Sequence, residues 1–234
     1  MPRLVSACLR FALILGFTAT ATATATADPL PEPPVGVATP ATRAANAAVA
    51  ERLPLTDPRD FEDASRGLVA QVDDPGILNP DGSTAWDTAR FDFLDAPAPA
   101  TVNPSLWRQS QLNSLHGLFE VVPGSIWQFR GYDLAVMTLI AGDSGWIVVD
   151  PLTSAAPVRA GLALANRELG ERPVTAIIYT HSHGDHFGGV RGLVDEAEVA
   201  ARDVQEIAPH GFTAEAVSEN LMAGNYMSRR AALQ

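Results

Sequence analysis

The stretch Val174-Thr175-Ala176-Ile177-Ile178-Tyr179-Thr180-His181-Ser182-His183-Gly184-Asp185-His186-Phe187-Gly188-Gly189 decides how this chain is read. Its first six residues are apolar and β-prone, so they read as a buried strand. The polar residues that follow then lie on the loop at the strand's C-terminal end, where α/β folds collect their sites. This loop holds three of the five histidines of the chain, with an aspartate set among them. On an extended loop, residues two apart point the same way. His181 and His183 can therefore meet one metal ion. Asp185 and His186 follow a bend at Gly184 and can reach a second. Imidazole suits zinc, and a carboxylate tolerates zinc, manganese or iron. Two ions about 3.5–4 Å apart can share a hydroxide and clamp both oxygens of a displacement. A solvated loop with chance histidines is the bland alternative. One histidine would favour it; three and an aspartate directly after a strand do not.

The pattern His181-x-His183-x-Asp185-His186 resembles the metallo-β-lactamase superfamily. The flanks are more specific and resemble its alkylsulfatase branch: Ser114-Leu115-His116-Gly117-Leu118-Phe119-Glu120-Val121-Val122-Pro123-Gly124-Ser125-Ile126-Trp127, Gly131-Tyr132-Asp133-Leu134-Ala135, Gly145-Trp146-Ile147-Val148-Val149-Asp150-Pro151-Leu152 and Ser218-Glu219-Asn220-Leu221-Met222-Ala223-Gly224-Asn225. The resemblance runs from about Arg43 to the last residue. It implies a metallo-β-lactamase-like αββα sandwich, of which this chain carries the N-terminal half. It implies two zinc ions, with His181 and His183 on the first and Asp185 and His186 on the second. Asp185 doubles as a candidate proton acceptor. Asp150, at the end of the apolar strand from Trp146, is expected to orient the site from behind its ligands. The family's remaining ligands are acidic residues and a histidine well downstream of this motif. The implied chemistry is hydrolysis of primary alkyl sulfate esters to alcohol and sulfate. A lactam, lactone or thioester hydrolase of the same superfamily is the first alternative, and an inactive zinc-binding fragment or pseudoenzyme the second. The intact family also implies a homodimer. Here a companion chain is the other expectation, because an apolar half-sandwich without its partner should aggregate.

The 234 residues are enough for one sizeable domain, and 47% hydrophobic with 18% charged residues is a globular composition. The net charge of −11 and the lack of a basic stripe argue against nucleic acid. Arg3 and Arg10, a short apolar core from Leu9 to Phe17 and Ala25-Thr26-Ala27 read as a signal peptide over residues 1–27. The apolar run is too short for the ~30 Å of a bilayer core, so no stable membrane anchor is expected. The expected location is periplasmic or secreted. Cys8, the single cysteine, falls inside this segment, which leaves metal binding to His, Asp and Glu.

Residues 28–100 read as a linker and an N-terminal arm, and 101–234 as the incomplete metallo-β-lactamase-like domain. Within the arm, Pro- and Ala-rich sequence to Thr42 precedes an alanine-rich helix to Arg52. A second helix starts near Asp57 and puts Phe61, Ala64, Leu68 and Val69 on its apolar side. Turns follow at Asp73–Gly76 and Asn79–Gly82. Trp86, Phe91, Phe93 and Leu94 suggest a strand. The later domain opens with a helix capped by Asn103. A meander of strands runs to Asp150, and a helix from Ser154 to Gly170. After the metal loop come a short helix to Val194, a strand over Ala197–Ala201, another over Val204–Ala208, and a helix from a Thr213 cap to Leu233. Met222, Met227, Leu221 and Tyr226 on that helix read as core. His116 reads as a hydrogen-bonded cap, His210 as a surface histidine, and Arg229 and Arg230 as cations near a helix end.

Overall fold

The computed structural model describes residues 36–231. The expected signal peptide, Cys8 and most of the linker lie outside the described residues, as does the end of the final helix. The described chain forms one seven-stranded mixed sheet, a two-stranded hairpin and six α-helices.

Helix α1 (Pro40–Arg52) begins three residues before the alanine-rich run, because Thr39 accepts a hydrogen bond from the Thr42 amide and Pro40 suits a first turn. Helix α2 (Arg59–Ser65) is shorter than the sequence suggests. Leu68 and Val69 are not on its apolar side; they form strand β1 (Leu68–Ala70), with 46% and 41% of their surface exposed. They pair instead with the later strand β4 (Gly117–Val122), where the chain gains a ladder in place of an isolated helical turn. The arm thus supplies an edge strand to the main sheet. Strands β2 (Gly76–Leu78) and β3 (Thr84–Asp87) pair around the turn at Asn79–Gly82. The strand expected through Leu94 stops at Asp87. Asp87 accepts from the Ala89 amide and starts a 3-10 helix over Thr88–Asp95.

Helix α3 (Pro104–Asn113) is capped by Asn103, as its sequence leads one to expect. It draws the arm down: Arg108 donates to Asp60 and to the Asp57 carbonyl and stacks on Phe61. Trp86 Nε1 donates to the Gly131 carbonyl, and the Tyr132 hydroxyl accepts from the Val72 amide.

The sheet order is β1-β4-β5-β6-β7-β8-β9, with β5 at Ile126–Arg130, β6 at Met137–Ala141, β7 at Trp146–Val149, β8 at Val174–Ile178 and β9 at Gln205–Ile207. Pairing is antiparallel up to β7 and parallel from β7 to β9. Parallel neighbours need a crossover, which helix α4 (Ala155–Leu169) provides. Its buried stripe holds Val158, Gly161, Leu164 and Ala165. A side chain at Gly161 would run into Phe129 and Met137, so this glycine lets the helix lie close on the sheet. Trp127, Phe129, Met137, Leu139, Trp146, Val148 and Ile177 alternate along the strands and form the core. Burying such side chains contributes roughly 1.5–3 kcal/mol each. The alternate positions, among them Ile126, Ile140, Ile147, Val149 and Ile178, are only partly covered.

Residues Ala197–Ala201 are not a strand but part of helix α5 (Glu196–Arg202). Asp195 and Glu198 form a reciprocal capping box that starts it, and the alanines and glutamates that follow are helix formers. Helix α6 spans Phe212–Ala231, so Thr213 lies inside its first turn rather than capping it. Leu221, Met222, Tyr226 and Met227 are not core: they are 80%, 81%, 72% and 47% exposed.

Candidate metal centre

Two parallel neighbours, β7 and β8, end side by side, and the site forms where they end. The Asp150 amide donates to the Ile178 carbonyl (3.0 Å), which sets the end of β7 level with the start of the metal loop. The chain then turns sharply. Asp150 and Leu152 both have left-handed backbone, with φ of 54° and 53°. Aspartate tolerates this; a leucine there costs on the order of 1–3 kcal/mol. Complete burial of the Leu152 side chain offsets that strain.

The loop after β7 is locked to the loop after β8. The Gly189 amide donates to the Leu152 carbonyl (3.0 Å). A Cβ at Gly189 would stand 2.2 Å from the Pro151 oxygen, and one at Gly188 2.3 Å from the Thr153 oxygen. No side chain fits at either position, which explains why the histidine run ends in two glycines. From the other side, Asp133 accepts from Thr153 Oγ1 (2.6 Å), from the Thr153 amide and from the Ala135 amide. Burial raises the Asp133 carboxyl above the ordinary carboxylate range, and these hydrogen bonds oppose the shift. Asp133 was not singled out in the sequence, although an acid in the apolar run Tyr132–Ala135 is a signal of a buried hydrogen-bonding role.

The buried Asp150 carboxylate faces the metal loop and is saturated with donors. Its Oδ1 accepts from the Thr180 amide (2.8 Å). Its Oδ2 accepts from Thr180 Oγ1 (2.6 Å) and from His186 Nδ1 (2.9 Å). Thr180 has one hydroxyl proton, and Asp150 takes it. The Thr180 oxygen then accepts from His181 Nδ1 at 2.9 Å. One carboxylate thereby orients two imidazoles, His186 directly and His181 through a threonine. In both rings Nε2 is left with its lone pair. Ring centroids lie 4.1 Å apart for His181 and His186 and 4.6 Å for His181 and His183. His186 Nε2 is 3.4 Å from Asp185 Oδ2. That is too long for a good hydrogen bond. It matches the separation of about 3.4 Å between two donors that share a tetrahedral zinc with bonds near 2.0–2.2 Å.

Asp150, His181 and His186 also have donor atoms within 4.8 Å of one another. Asp150 makes a poor ligand all the same, since both its oxygens are already occupied by protein donors. The donor set fits a metal: two imidazoles held through Nδ1, a carboxylate beside one of them, and an orienting carboxylate behind. The structure brings all five residues singled out in the sequence to this one loop cluster. His116 is elsewhere, its Nδ1 2.9 Å from the Ser114 carbonyl and its ring edge-on to Tyr132. His210 lies exposed after β9.

Residues 130–231 match the metallo-beta-lactamase superfamily model. Over 196 residues the chain is 46% identical to an alkyl/aryl-sulfatase of Saccharomyces cerevisiae; the match covers 83% of this chain and 30% of that protein. Over 196 residues it is 48% identical to a linear primary-alkylsulfatase of a Pseudomonas species, with 83% and 29% coverage. A solved structure of a stereoselective inverting sec-alkylsulfatase from a Pseudomonas species is 49% identical and superposes with a TM-score of 0.77, covering 83% of this chain and 31% of that one. The chain spans less than a third of the length of these relatives. With its site, its sheet and these likenesses together, the chain belongs to the metallo-β-lactamase superfamily, in its alkylsulfatase branch.

Proposed function

We propose that this chain carries the metal-binding loop of a zinc-dependent hydrolase of alkyl sulfate esters, giving alcohol and sulfate. The observation that carries the reading is the Asp150 carboxylate, which fixes His186 directly and His181 through Thr180 with their Nε2 atoms available. Relatives named as alkylsulfatases, at 46–49% identity, support the substrate class. Primary and secondary alkylsulfatases match equally well, so primary esters such as dodecyl sulfate are the first to test and secondary ones the next.

His181 and His183 hold the first zinc; Asp185 and His186 hold the second. Bound zinc supplies a hydroxide near neutral pH, because it lowers the pKa of its water to about 7. Asp150 keeps the His181 and His186 imidazoles in the tautomer that binds. Asp185, at the edge of the cluster, also stands where it can accept a proton. These four donors fall short of the three protein ligands that catalytic zinc takes for each ion. The resemblance assigns the others to sequence well downstream of this motif in the family. A lactam, lactone or thioester hydrolase shares the metal loop and is the second reading. A zinc-binding remnant without turnover is the third. The periplasm or the exterior is the proposed location. It rests on the sequence of residues 1–27 alone; among the described residues no helix is long and apolar enough to cross a membrane.

The test is sulfate release from dodecyl sulfate and from a secondary octyl sulfate, run beside the opening of a chromogenic cephalosporin. Sulfate release that disappears in His181→Ala supports the proposal. Opening of the cephalosporin without sulfate release points to another superfamily hydrolase, and zinc retention without any turnover points to the remnant.

A further inference from the structure

The flank Ser218-Glu219-Asn220 resembles the family by sequence, yet nothing so far gives Glu219 a task. The structure puts it beside the metal loop. Tyr179 and Phe187 bracket the histidine run, one just before Thr180 and one just after His186. Both rings pack on Phe212 in the first turn of α6, each at 5.3 Å between centroids. The inward face of α6 continues as Phe212, Ala216, Glu219 and Ala223, spaced as one stripe of a helix. Glu219 is the one charged residue in that stripe. It stands seven residues beyond Phe212, about 10 Å along the axis, and its Oε1 lies 3.6 Å from His183 Nε2.

His181 and His186 each have an orienting partner in the Asp150–Thr180 pair. His183, whose side chain is 58% exposed, has none there; the carboxylate it faces is Glu219. A ligating histidine almost always donates its second N–H to a carboxylate, a carbonyl or water. We propose that Glu219 is the positioning residue of His183: it takes the Nε2 proton and leaves Nδ1 to meet the ion. A shift of a few tenths of an ångström brings 3.6 Å into hydrogen-bond range. Helix α6 is then part of the metal site, clamped to the loop by three aromatic rings. This inference rests on the proposed metal-binding role of His183.

The experiment is a zinc competition titration against a chromophoric chelator on the full chain, with Glu219→Ala and Glu219→Gln, beside 15N NMR of the histidine rings in the zinc-loaded protein. The expected result is a 10- to 100-fold weaker Kd for Glu219→Ala at unchanged stoichiometry. Glu219→Gln should fall in between, since its amide oxygen still accepts. The His183 signal should show a protonated Nε2. An unchanged Kd in both variants overturns the role of Glu219 and leaves the metal site standing. Loss of a whole equivalent of zinc in both variants, with Nε2 metal-bound, overturns it too, because Glu219 would then be a ligand. Failure of the unsubstituted chain to bind zinc overturns the metal reading and this inference together.

Discussion

Asp150 is where the chemistry of the sequence and the geometry of the backbone meet. It is 7% exposed, has left-handed φ, and spends both oxygens on the next strand's loop. Removing it should leave His181 and His186 as imidazoles without fixed tautomers. Asp150→Ala should therefore weaken zinc binding about 10- to 100-fold while keeping the stoichiometry; the same competition titration reads it. An acid ending an apolar strand marks Asp150 in the sequence, but its expected orienting role comes from the family resemblance. Thr180 was not read as part of the relay, because a threonine before a histidine carries no signal until its hydroxyl is seen between two partners. Asp133 gives a pH dependence whose sign can be worked out. Burial raises its folded pKa, so the folded chain holds that proton more tightly than the unfolded one. Its contribution to stability is greatest in acid. It falls as pH rises from the ordinary carboxylate range to the raised value, and is level above that. Urea midpoints measured across that acidic range should show this fall in the unsubstituted chain and lose it in Asp133→Asn.

At the scale of elements, the metal loop depends on a contact between backbones. Gly189 lies against the Pro151 oxygen and Val158, neither of which is the free end of a flexible side chain. Gly189→Ala should cost roughly 1–3 kcal/mol and lower zinc content as well, because the loops after β7 and β8 must part to admit a methyl group. Thermal unfolding with and without zinc measures both. The meander, the crossover helix α4 and the metal strand β8 were all readable, since alternation and 3.6-residue periodicity act over several residues each. The errors fall on short pieces. For Ala197–Ala201 the winning signal lay outside the apolar residues, in the Asp195–Glu198 box. For Leu68–Ala70 it lay in β4, almost fifty residues away. For Phe91–Leu94 a capping aspartate turned a strand into a 3-10 helix.

At the scale of the whole molecule, among the described residues, one sheet face is filled by the core under α4 and the other is only partly covered. Ile126, Ile140, Ile147, Val149 and Ile178 share that second face, and α6 adds Leu221, Met222 and Tyr226 on its outer side. Apolar surface of this extent drives association. The chain should self-associate with concentration in light scattering, and Leu221→Lys with Met222→Lys should reduce this without changing zinc affinity. That these α6 side chains stand in solvent is not legible in the sequence, because an apolar helix stripe looks the same whether or not a partner covers it.

The chemistry of the loop turns on one assignment, that His181, His183, Asp185 and His186 form a metal site. The measurement that meets it head-on is tightly bound zinc per chain, by metal mass spectrometry on folded, size-selected protein, beside a His181→Ala/His183→Ala variant of matching circular dichroism. At least one zinc per chain, lost in the variant, is the expected result. Zinc no higher in the unsubstituted protein than in the variant would contradict it.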